Sequence, residues 1–353
     1  MSVRPSQRQV AITLPVEAGL SAQELMSLGQ RAEREGFDYV VCGEVASVDA
    51  IVLLGAIAVR TSTIRLATGI IATTIRTPQL AAMSFATLSS LAPGRVVAGI
   101  GASSPIIVDR WHGLSFDAPL TVTREFVEVF RAAMRRERVS YRGSRIRSDG
   151  FQLQLDPEGD VPVWLGAINN RMLQLAGETA DGVFLTWCPP KEVGERLSQV
   201  AEGARETLCF PPVSQVACSF WAYAGDDVDV ALDKARRIVL QYAMVPTHQQ
   251  AFVQSFPDLA KATMAWNEGD RKAALALLTD DVVMAMCAIG SPAHVADRIV
   301  AYHDVGVDVA IILPIATEHG SATGISMTYF SVAEELRKRG VIQVESHSDG
   351  LNQ

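Results

Sequence analysis

Short apolar runs rich in β-branched residues alternate with longer stretches of helical periodicity along almost the whole chain, and this alternation limits the possible folds more than any other feature. The runs are Gln9–Pro15, Phe37–Cys42, Thr63–Ile71, Arg95–Ala102, Val161–Gly166, Asp181–Trp187, Val213–Tyr223 and Val307–Pro314. Continuous rather than alternating apolarity marks parallel strands covered on both faces. Ser21–Gly36 reads as a helix: Ser21 caps it, Glu24 completes a capping box and Gly36 stops it. Further helices are expected over Val48–Thr61, Pro78–Leu91, Leu120–Glu137, Asn169–Ala180, Lys191–Thr207, Asp229–Tyr242 and Ser291–Gly306. Eight strand–helix pairs favour a closed α/β TIM barrel, (β/α)8, over an open sheet. The rhythm breaks at residues 138–157, which resemble a small hairpin, and at 246–288, an irregular and largely helical stretch. No linker rich in Pro, Gly or Ser separates these parts, so one domain over residues 1–353 with two insertions is expected.

A chain of 353 residues with 48% hydrophobic content is not a disordered one. Its net charge of −8, without a basic patch, argues against nucleic acid or an anionic membrane as a partner. No apolar stretch reaches 18 residues and the N-terminus lacks a signal-peptide core, so a cytoplasmic protein is expected. The five cysteines, Cys42, Cys188, Cys209, Cys218 and Cys287, are scattered without metal-site spacing, and three of them sit in apolar runs as small buried groups.

In a barrel of this kind the chemistry lies where strands end and loops begin. That rule selects Glu44, Ile70–Arg76, Gly99–Ser104, Gly166–Arg171, Thr186–Trp187 and Pro314. Gly99 and Gly101, followed by Ala102, Ser103 and Ser104, allow a flat ring or a phosphate to approach the backbone. They equally suit a tight strand-to-helix turn. Gly166, Ala167, Ile168, Asn169, Asn170 and Arg171 open a helix whose free N–H groups suit an anion. The alternative is an ordinary cap by Asn169 with an exposed Arg171. His112, in the loop after the fourth strand, and Glu44, after the second, are the candidate proton carriers. Each also has a bland reading, as a packing histidine and a solvated acid.

Gly36–Glu44, Thr61–Ile70, Arg76–Arg95, GIGASSP (Gly99–Pro105), WHG (Trp111–Gly113) and Val161–Val183, in this order and spacing, resemble the bacterial luciferase-like superfamily. GIGASSP with WHG is similar to its coenzyme F420-dependent branch, which includes methylenetetrahydromethanopterin reductase. The resemblance implies a luciferase-like TIM barrel with a deazaflavin ring across the mouth. It further implies hydride transfer to or from a small organic substrate, and a homodimer. It carries the cofactor site onto Gly69, Ile70, Ala72, Gly99, Gly101, Ala102, Ser103, Ser104 and Trp187, with a cis peptide at Gly69-Ile70 and Ile70 backing the ring. The cofactor phosphate maps to Gly166, Ala167, Ile168, Asn169 and Asn170, although Ile168-Asn169-Asn170 stands where members often have Gly-Gly-Pro.

The sugar-phosphate branch has an Asp-His pair where this chain has Glu44-Val45, and a glutamate where it has Ser104. Sugar-phosphate oxidation is therefore not expected. Glu44 and His112 remain as proton carriers, unless the final proton comes from water. An FMN-dependent monooxygenase is the alternative within the superfamily, and a non-catalytic flavin-binding barrel is a third reading. Trp187 and Trp221 are candidates to wall a substrate cavity, and the apolar residues of the second insertion either roof it or pack on themselves as a helical subdomain.

Overall fold

The computed structural model describes residues 8–206 and 213–343. Eight parallel strands close on themselves: Gln9–Thr13, Tyr39–Cys42, Arg65–Thr68, Val96–Gly101, Val163–Ala167, Gly182–Thr186, Gln215–Ala224 and Val309–Pro314. The first strand pairs with both the second and the eighth, in registers such as Ala11↔Tyr39 and Ala11↔Ile311, and this closes the barrel. The TIM-barrel expectation is met.

Alternate residues face opposite sides, and the two sets form separate cores. Ala11, Tyr39, Val41, Ala67, Val97, Trp164, Phe184, Ala217, Val309 and Ile311 fill the barrel interior. Their neighbours, among them Val10, Val40, Leu66, Val96, Val163, Val183, Cys218 and Ala310, pack outward against the helices. Both faces are dry, which is why these strands read as unbroken apolar runs.

Aspartates tie the strand starts together at the N-terminal end. Asp38, Asp181 and Asp308 each precede a strand and accept the N–H of Val10, Val163 and Val216 on the adjacent strand, all at 2.8 Å. Inside that end, Gln215 donates to Tyr39 Oη and accepts from Trp164 Nε1, while Arg65 also donates to Tyr39. Buried polar groups thus satisfy one another and close the floor.

The helices follow the sequence closely in the first half. Ser21 and Glu24 form the expected capping box on Ala22–Arg34. Pro78 opens its helix at the first turn, where a missing N–H costs nothing. Asp49 caps Ala50–Ala58 by accepting from Val52 N at 2.9 Å.

Four features depart from the sequence reading. The third run is not the single strand that periodicity predicts: after Thr68 it breaks at the cis Gly69-Ile70 peptide that the resemblance implied, and Ile71–Ala72 pairs separately with the fourth strand. Ile106–Trp111, expected as plain loop, forms one π-helical segment. The second insertion forms four helices, Pro246–Ser255, Asp258–Asn267, Arg271–Ala276 and Asp280–Met286, but it ends in a strand, Cys287–Gly290. That strand pairs with Trp221–Ala224, beyond the point where the sixth strand leaves the same neighbour. The barrel closes with a helix over Ala322–Lys338, which the sequence reading did not identify.

The first excursion is the expected hairpin, Val139–Arg142 with Arg147–Phe151. Its turn is held by one carboxylate: Glu125 accepts from the N–H groups of Ser144, Arg145 and Ile146 and from the Ser144 hydroxyl, at 2.7–2.9 Å. Cys42, Cys188, Cys218 and Cys287 are free and buried, and Cys209 lies outside the described residues. Among the described residues no helix is long and apolar enough to cross a membrane.

Candidate active site

At the C-terminal end of the barrel, glycines allow backbone and side chains to approach closely. Gly99 is held tightly: a Cβ there would lie 1.7 Å from the Thr68 carbonyl oxygen, and Thr68 Oγ1 donates to the Gly99 carbonyl at 2.7 Å. No side chain fits between these strands. Gly101 and Gly166 differ, because the atoms that would meet a Cβ belong to the side chain of Ile70, at 3.0–3.2 Å. Ile70 therefore lies over two glycines from the fourth and fifth strands, packed on the interior core and half-exposed above it. Gly69 allows the bend that puts it there, since a Cβ on Gly69 would meet Val41 at 2.4 Å. The structure thus brings together Gly69, Ile70, Gly101 and Gly166, with Ala72 paired to Gly101 in the short extra strand.

Ala102 and Ser103 continue past the fourth strand, half-buried, and Ser103 adopts a φ of +65°. Non-glycine residues with such angles are uncommon and cluster at ligand sites. Ser104 is buried, and its Oγ accepts from Ile107 N. Trp187, at the end of the sixth strand, is also left-handed, with φ +52°.

The helix Asn170–Thr179 begins at Asn169, which makes no side-chain cap. Its amide is committed elsewhere: Nδ2 donates to the Thr247 carbonyl at 2.8 Å, at the first turn of the second insertion. Arg196 donates to the Ile168 carbonyl at 2.9 Å and fixes the approach. The ordinary-cap alternative is thereby removed; Met172 N donates to the Asn169 carbonyl, and the amides of Asn170 and Arg171 are left for an anion. Asn170 and Arg171 are exposed beside it. Ala167 differs from its neighbours, since its side chain packs in the outer core and offers only backbone to the mouth.

Glu44 is not a free acid. Arg76 Nε and Nη2 donate to its two oxygens at 2.9 and 2.6 Å, and Nη2 reaches Asp49 as well. The two carboxylates hold the Arg76 proton more firmly still, against a smaller opposing effect of burial. A bidentate pair of this kind orients a carboxylate but engages the lone pairs that proton transfer would use. His112 caps the π-helical segment and is exposed to solvent.

Beyond Ile70 the mouth is walled by aromatic rings. Trp187 lies 6.2 Å from Trp221, 4.9 Å from Tyr242 and 5.3 Å from Phe252, ring centre to ring centre. His248 packs edge-on to Tyr242 and Phe252. Burial lowers its pKa to about 4, so the ring is neutral at physiological pH. Burial first, then the Glu17 carboxylate, push the Tyr242 hydroxyl up to about 12. Sequence reasoning passed over Glu17, Tyr242 and His248. Glu17 follows the first strand and was within reach of the strand-end rule, whereas Tyr242 and His248 reach the mouth only through tertiary packing.

The family model described as luciferase-like monooxygenase matches residues 5–309. The chain belongs to the luciferase-like monooxygenase family. As a member it is an enzyme, and the resemblance read from its motifs holds. Within the family it is 30% identical to 5,10-methylenetetrahydromethanopterin reductase of Methanolobus tindarius over 284 residues, 78% of this chain and 85% of that one. Among solved structures of the same fold, the coenzyme F420-dependent tetrahydromethanopterin reductase of Methanopyrus kandleri superposes with a TM-score of 0.76 at 24% identity, covering 93% of this chain and 99% of that one. An F420-dependent secondary alcohol dehydrogenase bound to an F420-acetone adduct gives a TM-score of 0.75 at 19% identity, covering 92% and 97%.

Proposed function

We propose that this family member is a coenzyme F420-dependent oxidoreductase that moves a hydride between the deazaflavin and a small, uncharged organic substrate. The observation that carries the reading is the seat of Ile70 at the barrel mouth. Gly101 and Gly166, without side chains, let Ile70 lie against the rim, and its half-exposed side chain offers an apolar surface to a ring. The second support is the uncapped helix start at Asn169, which follows the same strand as Gly166.

Free amides there suit the cofactor's phosphate, with Asn170 and Arg171 beside them. The names of the similar proteins, F420-dependent in both solved structures, support the choice of cofactor.

When bound, the deazaflavin supplies the hydride chemistry; the chain's own residues bind, orient and shield. Ile70, lying over Gly101 and Gly166, would seat the ring, Ala72, Gly99, Ala102, Ser103 and Ser104 would shape its edge, and Trp187 would border it. Arg76 fixes Glu44 as an orienting group. His112, exposed and next to Trp111, is the candidate proton carrier.

Fluorescence titration with F420 and with FMN tests the reading. F420 is expected to bind and FMN to bind at least tenfold more weakly. Tight FMN binding without F420 binding would replace it with the flavin monooxygenase alternative, and binding of neither would leave a non-catalytic barrel.

We further propose a cytoplasmic homodimer. The adjacent helices Ala50–Ala58 and Pro78–Leu91 expose Val52 (72%), Leu80 (47%) and Met83 (50%), apolar surface of the kind that a second copy covers. Sedimentation of the wild type and of a Leu80→Glu, Met83→Glu variant tests this, a monomeric wild type being the contrary result.

A further inference from the structure

Trp221 carries a buried indole Nε1 that has no hydrogen-bond partner among the described residues. Buried indoles ordinarily find an acceptor, and an orphaned donor calls for a cause. Position explains this one. Residue 221 shares the inward parity of Gln215 and Ala217 on the seventh strand, so its ring rises from the barrel interior into the mouth. There it meets Trp187 at 6.2 Å and Tyr242 at 6.4 Å, under the roof formed by the second insertion.

We propose that Trp221 is a specificity-determining donor, and that the substrate is an uncharged, largely apolar molecule presenting one carbonyl-type oxygen to its indole. The proposal rests on the reading of the mouth as the reaction site. The surrounding wall fits such a molecule: Trp187, Tyr242 and Phe252 supply apolar surface, and His248 is neutral there. Glu17 places a carboxylate near Tyr242, which disfavours anions. The indole nitrogen is covered in this arrangement, so an acceptor reaches it by displacing the side chains packed around it.

The test is a titration of the full-length, ¹⁵N-labelled and deuterated protein, following the indole N–H resonances, with Trp221 assigned by its loss in Trp221→Phe. Acetophenone is compared with ethylbenzene, which lacks only the oxygen. Acetophenone is expected to move the Trp221 proton downfield and ethylbenzene to leave it in place. Trp221→Phe is expected to bind acetophenone about fivefold more weakly, with ethylbenzene unchanged. An unmoved Trp221 resonance, or equal acetophenone affinity in a folded variant, overturns the proposal. If F420 alone moves the resonance to the same position, the indole serves the cofactor and the proposal also falls. Should the variant not fold, Trp221 is assigned in the wild type through its sequential backbone resonances, and the wild-type titration decides. Failure of F420 to bind would appear in its own titration and leaves the ketone result readable.

Discussion

Asn169 donates its side-chain amide to the Thr247 carbonyl at 2.8 Å, joining the helix start after the fifth strand to the first turn of the second insertion. One residue thus leaves its own helix uncapped and anchors the roof. Asn169→Ser is expected to reverse both effects, because a serine at this position caps its own helix. Cofactor affinity should fall about tenfold with little change in melting temperature, measured by fluorescence titration and thermal melts. Unchanged affinity would separate the helix start from cofactor binding.

Gly99 and Gly101 are two residues apart and should behave differently. Gly99→Ala drives a methyl group against the Thr68 carbonyl and is expected to abolish folding or to cost more than about 4 kcal/mol. Gly101→Ala first meets the Ile70 side chain, at 3.0 Å from Cγ1 and 3.1 Å from Cδ1, which can shift by a few tenths of an ångström where a carbonyl cannot. It should fold and lose about tenfold in F420 affinity. Circular dichroism with a binding titration distinguishes the two.

His248 makes stability depend on pH. Its pKa falls from 6.5 to about 4 on folding, so the unfolded chain binds the proton more readily. Stability is fully present above about pH 6.5 and is lost as pH falls towards 4. The loss should be on the order of 2 kcal/mol, allowing for partial exposure. Urea denaturation at pH 7 and pH 5 checks this, with His248→Gln expected to flatten the difference.

Glu125 organises the hairpin. Burial opposes its charge, but the amides of Ile146, Arg145 and Ser144 and the Ser144 hydroxyl outweigh it and keep the carboxyl below its usual range. Glu125→Ala leaves those donors without an acceptor and is expected to cost about 3 kcal/mol. Hydrogen exchange should show the loss first at residues 144–146.

Much of this arrangement is legible in the sequence. The barrel follows from the apolar runs because both strand faces are dry, and the Ser21–Glu24 cap follows from a local motif. The Gly69-Ile70 bend was implied by resemblance rather than by periodicity, since Thr63–Ile71 is apolar across the break. Cys287–Gly290 was hidden because four residues after a helix carry too little pattern, and its pairing partner Trp221 lies 66 positions earlier. Ala322–Lys338 was missed because glycine, serine and threonine in its first turns weaken the helical signal. The commitments of Glu44 to Arg76 and of Asn169 to Thr247 depend on distant side chains, and no local pattern encodes them.

The seventh strand carries two neighbours on one edge, the sixth strand below and Cys287–Gly290 above. The roof is therefore stitched into the rim at its far end, while its near end packs on Trp187 and Tyr242 and is tied to the fifth-strand helix start by the Asn169 amide. A segment fastened in this way can change its inner surface without disturbing the staves beneath it. Within this architecture, new substrate preferences can arise by rewriting residues 246–286 alone, with the ring seat and the aspartate-bolted floor left as they are.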